Sequence, residues 1–499
     1  MTPGAPYPDT EIAIIGSGFG GLGAAIRLRE RGFEDFIIFE RASDVGGTWR
    51  DNSYPGCACD VQSHLYSFSF APNPDWSRSY SPQPEIWEYL RRCARDFQLL
   101  PHIRFRHEVR EAAWDDRAQV WRIETSEGTY TARVLVLASG ALSEPALPAL
   151  PGIDTFEGAA FHSARWNHEY DLKGKRVAVV GTGASAVQFV PEIQPLVSKL
   201  YVFQRTPPWI MPRTDRALRP GERRLFRRFP AAQRAARYAL YLFREMFVFG
   251  FRHLPASKLV ERIALMHLER SVSDPQLRAR LTPSYSIGCK RILVSNDYLP
   301  ALTRPNVELV TCAVAEVRPH SVVGADGVER EVDAIIYGTG FRVTDPPLAG
   351  HVRGRGGSTL AEVWDGSPRA HAGTTVTGFP NLFILMGPNT GLGHTSVLIM
   401  LEAQTEHLLS ALEHMRARGA AAIEPRAEAQ AAYVGEIERR MKGTVWTAGG
   451  CASWYLDRTG RNSTLWPDST WRFRRRVARL DPAEYLTFAP HAVTEAEPV

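Results

Sequence analysis

The chain has 499 residues, of which 44% are hydrophobic and 23% charged, with a formal net charge of +5. That length is roughly three domains' worth at about 150 residues each, the composition is that of an ordinary soluble globular protein, and so small a positive excess does not call for a nucleic acid or other polyanionic partner. Met1 to Thr10 is polar and proline-rich rather than leader-like, and no apolar run reaches the ~18 residues of a membrane span, so a cytoplasmic protein without integral membrane association is expected.

The first apolar run, Glu11 to Ile15, enters Gly16-Ser-Gly18-Phe-Gly-Gly21 and predicts a buried strand turning directly into a helix. A second strand, Phe36 to Phe39, ends at Glu40, 24 residues after Gly16. In such a βαβ unit the glycines let backbone approach a pyrophosphate at the helix N-terminus, and a carboxylate at the next strand end accepts ribose hydroxyls while repelling a 2'-phosphate. FAD is therefore expected here. Val134 to Leu137 should be a later strand of the same domain, and a connector with Pro145, Pro148 and Pro151 leads onward.

The pattern then repeats. Arg176 to Val180 enters Gly181-Thr-Gly183-Ala184-Ser185-Ala186, and the strand Leu200 to Gln204 ends at Arg205-Thr206, again 24 residues on. A guanidinium in place of the carboxylate can pair bidentately with a phosphate, which favours NADP(H). Two copies with matched spacing are a strong signal where one would be weak. Between Arg223 and Arg252 there are eight arginines and one acid, Glu245, interleaved with aromatic and aliphatic residues. This reads as part of a helical insertion at about 215–285, packed over an active-site mouth with its arginines solvated; weak membrane-surface contact is the other reading. Ala334 to Tyr337 and Gly338-Thr-Gly340 then offer a turn back to the first domain, and Asn381 to Leu385 followed by Gly387-Pro-Asn-Thr-Gly391-Leu-Gly393-His394 predicts a further strand-to-helix junction facing the flavin.

Six scattered cysteines (Cys57, Cys59, Cys93, Cys289, Cys312, Cys451) are expected to be free thiols. The absence of a CxxC pair removes the flavin disulfide reductases, and Cys57-Ala-Cys59 is too closely spaced for a zinc pair, so no metal is expected.

Phe156-Glu-Gly158-Ala-Ala-Phe-His162-Ser-Ala-Arg-Trp166, between the nucleotide units, resembles the FxGxxxHxxxW fingerprint of the Baeyer-Villiger monooxygenases of the class B flavoprotein monooxygenase family, related to the flavin-containing monooxygenases. The family usually continues with Pro or Asp, where this chain has Asn167. Gly46-Gly47-Thr48-Trp49 leading to Tyr54-Pro55-Gly56 and Asp60, Gly288-Cys-Lys290-Arg291, and Ser453-Trp454-Tyr455 are similar to further family segments. The resemblance covers essentially the whole chain.

It implies an α/β fold with two Rossmann-like dinucleotide-binding domains: the NADP domain (143–335, with the helical insertion) is inserted into a discontinuous FAD domain (1–142 and 336–499). It also implies a monooxygenase that uses NADPH, FAD and O2 to turn a small hydrophobic ketone into an ester or lactone through a C4a-peroxyflavin. Arg291 is the expected catalytic cation, steadied by Asp60. Thr48, Trp49, Asp60 and Tyr66 join Gly16, Gly18, Gly21 and Glu40 on the FAD side. Lys290, Arg291 and Trp454 join Gly181, Gly183, Ala184, Ser185, Ala186, Arg205 and Thr206 on the NADP side. Phe156, Gly158, His162 and Trp166 are expected to form an interdomain hinge. Residue by residue, Arg291 also reads as a phosphate clamp, Asp60 as a loop cap and Trp49 as core. For the whole chain, N- or S-oxygenation and a non-oxygenating NADPH-flavin reductase or redox-binding protein are the other readings.

Overall fold

The computed structural model describes residues 8–491 except residue 253, so most of the sequence reading of Met1 to Thr10 lies outside the described residues. Two sheets organise the chain, the first mixed and the second parallel. The first begins with β1 (Thr10–Ile15), α1 (Phe19–Glu30) and β2 (Phe36–Glu40). The short α2 (Thr48–Asp51) and the amphipathic α3 (Gln83–Asp96) follow, then β3 (Ile103–Phe105), β4 (Val109–Asp115), β5 (Val120–Thr125) and β6 (Thr129–Leu137). In register, Ile12 of β1 stands between Phe36 of β2 and Val134 of β6, all parallel. β1, β2 and the end of β6 are apolar runs covered on both faces, as parallel strands must be, whereas β4 and β5 pair antiparallel and alternate buried with exposed residues. Two later strands join this sheet: Leu382–Ile384 pairs with β6 and Val352–Arg353 with β4, both parallel.

The second sheet is built from β7 (Ala159–His162), β8 (Arg176–Val180), β9 (Lys199–Phe203), Val307–Val310 and Ala334–Tyr337. Val177 of β8 lies between Leu200 of β9 and Ala334, and the fingerprint strand β7 closes the edge by pairing with Ala334–Tyr337. The helix α4 (Ala184–Ile193) buries Val187, Phe189, Val190 and Ile193 against this sheet.

Between β9 and Val307–Val310 the chain departs into α5 (Pro220–Arg228), α6 (Pro230–Glu245), α7 (Phe247–Arg252), α8 (Leu254–Ser271) and α9 (Pro275–Leu281). Proline at the first helical position opens α5, α6 and α9, where its missing N–H costs nothing. The arginines of this insertion are not all solvated. Arg237 donates to the carbonyls of His64, Leu65 and Ser67, and Arg244 to Gln62 Oε1, so loop carbonyls of the first half turn two guanidinia inward.

One covalent link differs from the expectation of six free thiols: Cys289 and Cys451 form a disulfide, with α-carbons 6.1 Å apart across a separation of 162 residues. Spacing along the chain carries no information on such a pair, because folding alone brings the two segments together. Cys57, Cys59, Cys93 and Cys312 are free, the first three buried. Burial pushes the Cys57 thiol up to about 12 and that of Cys93 to about 11, so neither is poised as a nucleophile.

Candidate active site

The two glycine motifs fold into near copies of one another. Gly16 and Gly181 have φ of +103° and +104°, and a Cβ on either would lie 2.7 Å from Ala138 O or 2.5 Å from Gly338 O. Glycine is thus required at each first position by both backbone angle and space. Gly18 and Gly183 cap α1 and α4 in extended conformations without side-chain bonds of their own. Each junction opens its helix on a glycine, and helix N-terminal amides fit a dinucleotide pyrophosphate.

The first cradle ends at Glu40, which is 4% exposed. Its Oε2 accepts from Ser17 N (3.0 Å) and Ser17 Oγ (2.6 Å), its Oε1 accepts from Ala42 N (2.9 Å), and Arg50 lies 2.9 Å away. Burial works to raise the carboxyl's pKa, but the Arg50 charge and the bonds from Ser17 and Ala42 prevail and hold it below its ordinary value. A fixed carboxylate at this strand end fits a ribose diol. Trp49 packs against the cores of both halves and donates Nε1 to Tyr66 Oη at 3.0 Å, their rings 5.5 Å apart and nearly perpendicular. Thr48 Oγ1 reaches Leu142 O at 3.5 Å.

The second cradle carries Ala184, Ser185 and Ala186 on the first turn of α4, and Arg205 and Thr206 just past β9, where Thr182 Oγ1 meets Thr206 O at 3.5 Å. Lys290 lies within the field of Arg205: burial, and then the Arg205 charge, lower its pKa from the usual lysine value. Neither cation has an ion-pair partner among the described residues. Two cations that repel one another without a counter-ion fit a doubly charged phosphate between them.

Next to Lys290 in sequence stands Arg291. Asp60 accepts from its Nε and its Nη2, both at 2.8 Å, a bidentate pair whose side chains are 30% and 25% exposed. The Asp60 charge outweighs burial and raises the guanidinium's pKa further, so it is cationic at every working pH. Leu392 O, in the glycine-rich turn before the long helix Leu398–Arg418, lies 3.4 Å from Nη1. A guanidinium has five N–H groups; Asp60 uses two, Leu392 takes a third at long range, and the remainder can face a reacting oxygen. The Asp60 loop is itself fixed by the second half, because Gln188 of α4 donates to Ala58 O (2.9 Å) and accepts from Tyr54 Oη (3.0 Å). Trp454 is 45% exposed and its ring lies 4.4 Å from that of Tyr455. An exposed indole here can stack on a flat ring.

A family model for flavin-binding monooxygenase-like proteins matches residues 9–354. A Baeyer-Villiger monooxygenase of Streptomyces coelicolor is 54% identical over 97% of this chain and 94% of its own, and one of Pseudomonas aeruginosa is 51% identical over 98% and 93%. The chain belongs to this family. Among solved structures, OTEMO in complex with FAD and NADP is 26% identical and superposes with a TM-score of 0.87 over 97% of this chain and 100% of that one.

In this flavin-binding monooxygenase-like protein the fingerprint is a packed edge. A Cβ on Gly158 would lie 2.5 Å from Asp333 O and 2.6 Å from the Phe156 ring, so the chain can pass the second sheet here only as glycine. His162 pairs with Tyr337 in register, its Nδ1 accepts from Ala164 N at 3.1 Å, and burial lowers its pKa to about 4, which leaves it neutral at working pH. Trp166 packs on Phe161 and Phe189 at 5.2 and 5.3 Å.

Several contacts of the monooxygenase escape sequence reasoning. The disulfide ties the segment before Lys290-Arg291 to the loop before Trp454. Buried Tyr455 has its pKa raised to about 12, first by burial, and it lies in the fields of Arg291 and Asp60, its hydroxyl without a hydrogen-bond partner among the described residues. Glu245 at the end of α6 accepts from Thr470 Oγ1 (2.7 Å) and N (3.1 Å) and meets His394 Nε2 at 3.2 Å, which joins the insertion to the turn around Leu392. The lone acid among eight arginines was the only signal for it.

Proposed function

We propose that this protein is an FAD- and NADPH-dependent Baeyer-Villiger monooxygenase that places one atom of O2 beside the carbonyl of a small hydrophobic ketone. Ketone, O2, NADPH and a proton become ester or lactone, NADP+ and water. The observation that carries the reading is the guanidinium of Arg291, clamped bidentately by Asp60 with N–H groups to spare. FAD, when bound, supplies the oxygen activation and transfer that side chains cannot.

The residues divide the remaining work. Gly16, Gly18, Gly21 and Glu40 hold the flavin nucleotide, in a domain assigned to 1–142 and 336–499. Gly181, Gly183 and the start of α4 hold NADP(H) in a domain assigned to 143–335, with Arg205, Thr206 and Lys290 on its 2'-phosphate. Trp454 stacks on the cofactor, and Trp49 and Tyr66 wall the flavin side. Arg291 stabilises negative charge as it develops on oxygen in a site shielded from water, where a fixed cation acts far more strongly than in bulk solvent. Asp60 is a positioning residue that holds the guanidinium plane. The fingerprint segment from Phe156 to Trp166 is the hinge through which the second sheet's position is passed to the site.

The test supplies the FAD-loaded protein with NADPH, isotopically heavy O2, and a panel of cyclic, aromatic and long-chain ketones with a sulfide. One heavy oxygen per ester molecule is the expected result. Sulfoxide without any ester would assign the protein to heteroatom oxygenation, and hydrogen peroxide as the only oxygen product would remove the oxygenase reading.

A further inference from the structure

Helix α6 is folded inside out. Its inward face is its polar one: Gln233 is buried and donates to Asn73 O at 2.6 Å, Arg237 reaches three loop carbonyls, Tyr241 Oη meets Thr470, and Glu245 meets His394. Its outward face carries Tyr238, Leu242, Phe243 and Met246, exposed by 60, 48, 49 and 66%. Tyr238, Leu242 and Met246 recur every four residues, so they form one stripe along the helix. A helix on a water-soluble surface shows the opposite arrangement. On α8, Leu259, Ile263 and Met266 repeat the stripe at i, i+4 and i+7, with Leu259 70% exposed. Among the described residues, ten of the eighteen exposed large apolar side chains fall between 225 and 266, a concentration in the insertion that scattered exposure does not give.

The charge around these stripes says what covers them. Arg224 and Arg228 on α5, Arg234 one turn before Tyr238, and Lys258 and Arg262 beside Leu259 and Ile263 are exposed, and none forms an ion pair among the described residues. A second copy of the chain meeting this face across a two-fold axis would set one cation-rich patch against another of the same sign. An anionic lipid surface instead matches both features, apolar side chains entering the headgroup boundary and guanidinia meeting phosphates. No helix among the described residues is long and apolar enough to cross a membrane, so the contact is a surface one.

We propose that α6 and α8 dock this protein on the surface of bilayers containing anionic phospholipids. This is independent of which substrate is oxygenated. The test is sedimentation of the FAD-loaded protein with phosphatidylcholine vesicles, with and without phosphatidylglycerol. The protein is expected to sediment with the anionic vesicles, to bind neutral ones much more weakly, and to be released by salt. The double variant Leu242→Gln with Met246→Gln keeps helix-forming residues and is expected to lose about tenfold in partitioning per side chain. Its bound-flavin spectrum should be unchanged, which separates lost docking from lost folding. Failure of the parent protein to sediment with anionic vesicles overturns the proposal. So does a parent that is dimeric by light scattering and becomes monomeric in the double variant, since the face would then belong to a second copy.

Discussion

Replacing Arg291 by alanine removes a cation that the fold holds by one carboxylate. Two of its five N–H groups go to Asp60 at 2.8 Å and one to Leu392 O at 3.4 Å, so the lost interaction is with whatever faces the remaining N–H groups. Loss of one fixed donor to a developing oxyanion costs a factor of about 10²–10³, or roughly 3–4 kcal/mol. The folding cost is smaller: Asp60 is left without its partner, but its side chain is 25% exposed, so solvent screening limits the penalty to about 1–2 kcal/mol. Arg291→Ala should therefore fold, retain FAD and continue to oxidise NADPH, while ester formation falls by that factor. Arg291→Lys keeps the charge but places its donors on a single nitrogen, which cannot span both Asp60 oxygens and still reach outward, so it should fall between the two. The assay follows NADPH absorbance and ester by chromatography in the same reaction. Ester formation at the parent rate in Arg291→Ala would refute the role given to this side chain, whatever the NADPH rate.

Arg205→Ala should lower kcat/KM for NADPH by about 10–100-fold, the loss of one charge-assisted phosphate contact, with little change for NADH; equal losses with both cofactors would place Arg205 elsewhere. Cys451→Ser opens a loop closed over a separation of 162 residues, and chain entropy alone puts the loss of stability at about 5 kcal/mol. The parent should melt at the variant's temperature once a reductant is added, and a reductant-insensitive parent would contradict the bond. His64, His162 and His407 each have a pKa lowered by burial to about 4. A base depressed in the folded state gives stability that is complete above its unfolded pKa of about 6.5 and lost as pH falls toward 4, about 2 kcal/mol per histidine by pH 5. Denaturant midpoints should drop steeply from pH 7 to pH 5, and a flat profile would mean that these rings are protonated in the folded protein.

What the sequence makes legible is local. Gly16 and Gly181 announce their turns because the strand before, the helix after and the strand end 24 residues on all lie within one βαβ unit. The meeting of Arg291 with Asp60, 231 residues apart, is not of that kind; it was anticipated only through resemblance to a family, and no spacing rule leads to it. Cys289 and Cys451 show the same limit from the other side, since two thiols distant in sequence read as free until a loop sets them together. Gln188 and Glu245 are ordinary surface residue types in a helix pattern, and only the packing of one half on the other makes them joints. From sequence the arginines of the insertion are expected in water, because a guanidinium usually prefers it. The loop at 62–67 offers backbone carbonyls and an amide oxygen at the right reach, and these reverse the preference for Arg237 and Arg244.

That reversal also defines what can be exchanged between relatives. A chimera that imports only residues 220–281 from another monooxygenase would leave the carbonyls of His64, Leu65 and Ser67 facing whatever side chain replaces Arg237. A leucine there would leave the Leu65 and Ser67 carbonyls without this donor, at about 1–3 kcal/mol each, and His64 O with only its long bond from Ser67 Oγ. The helices and the loop at 62–67 are thus one cassette written in two distant stretches of sequence, and recombination that respects the domain boundaries but divides this cassette should yield chains that do not fold.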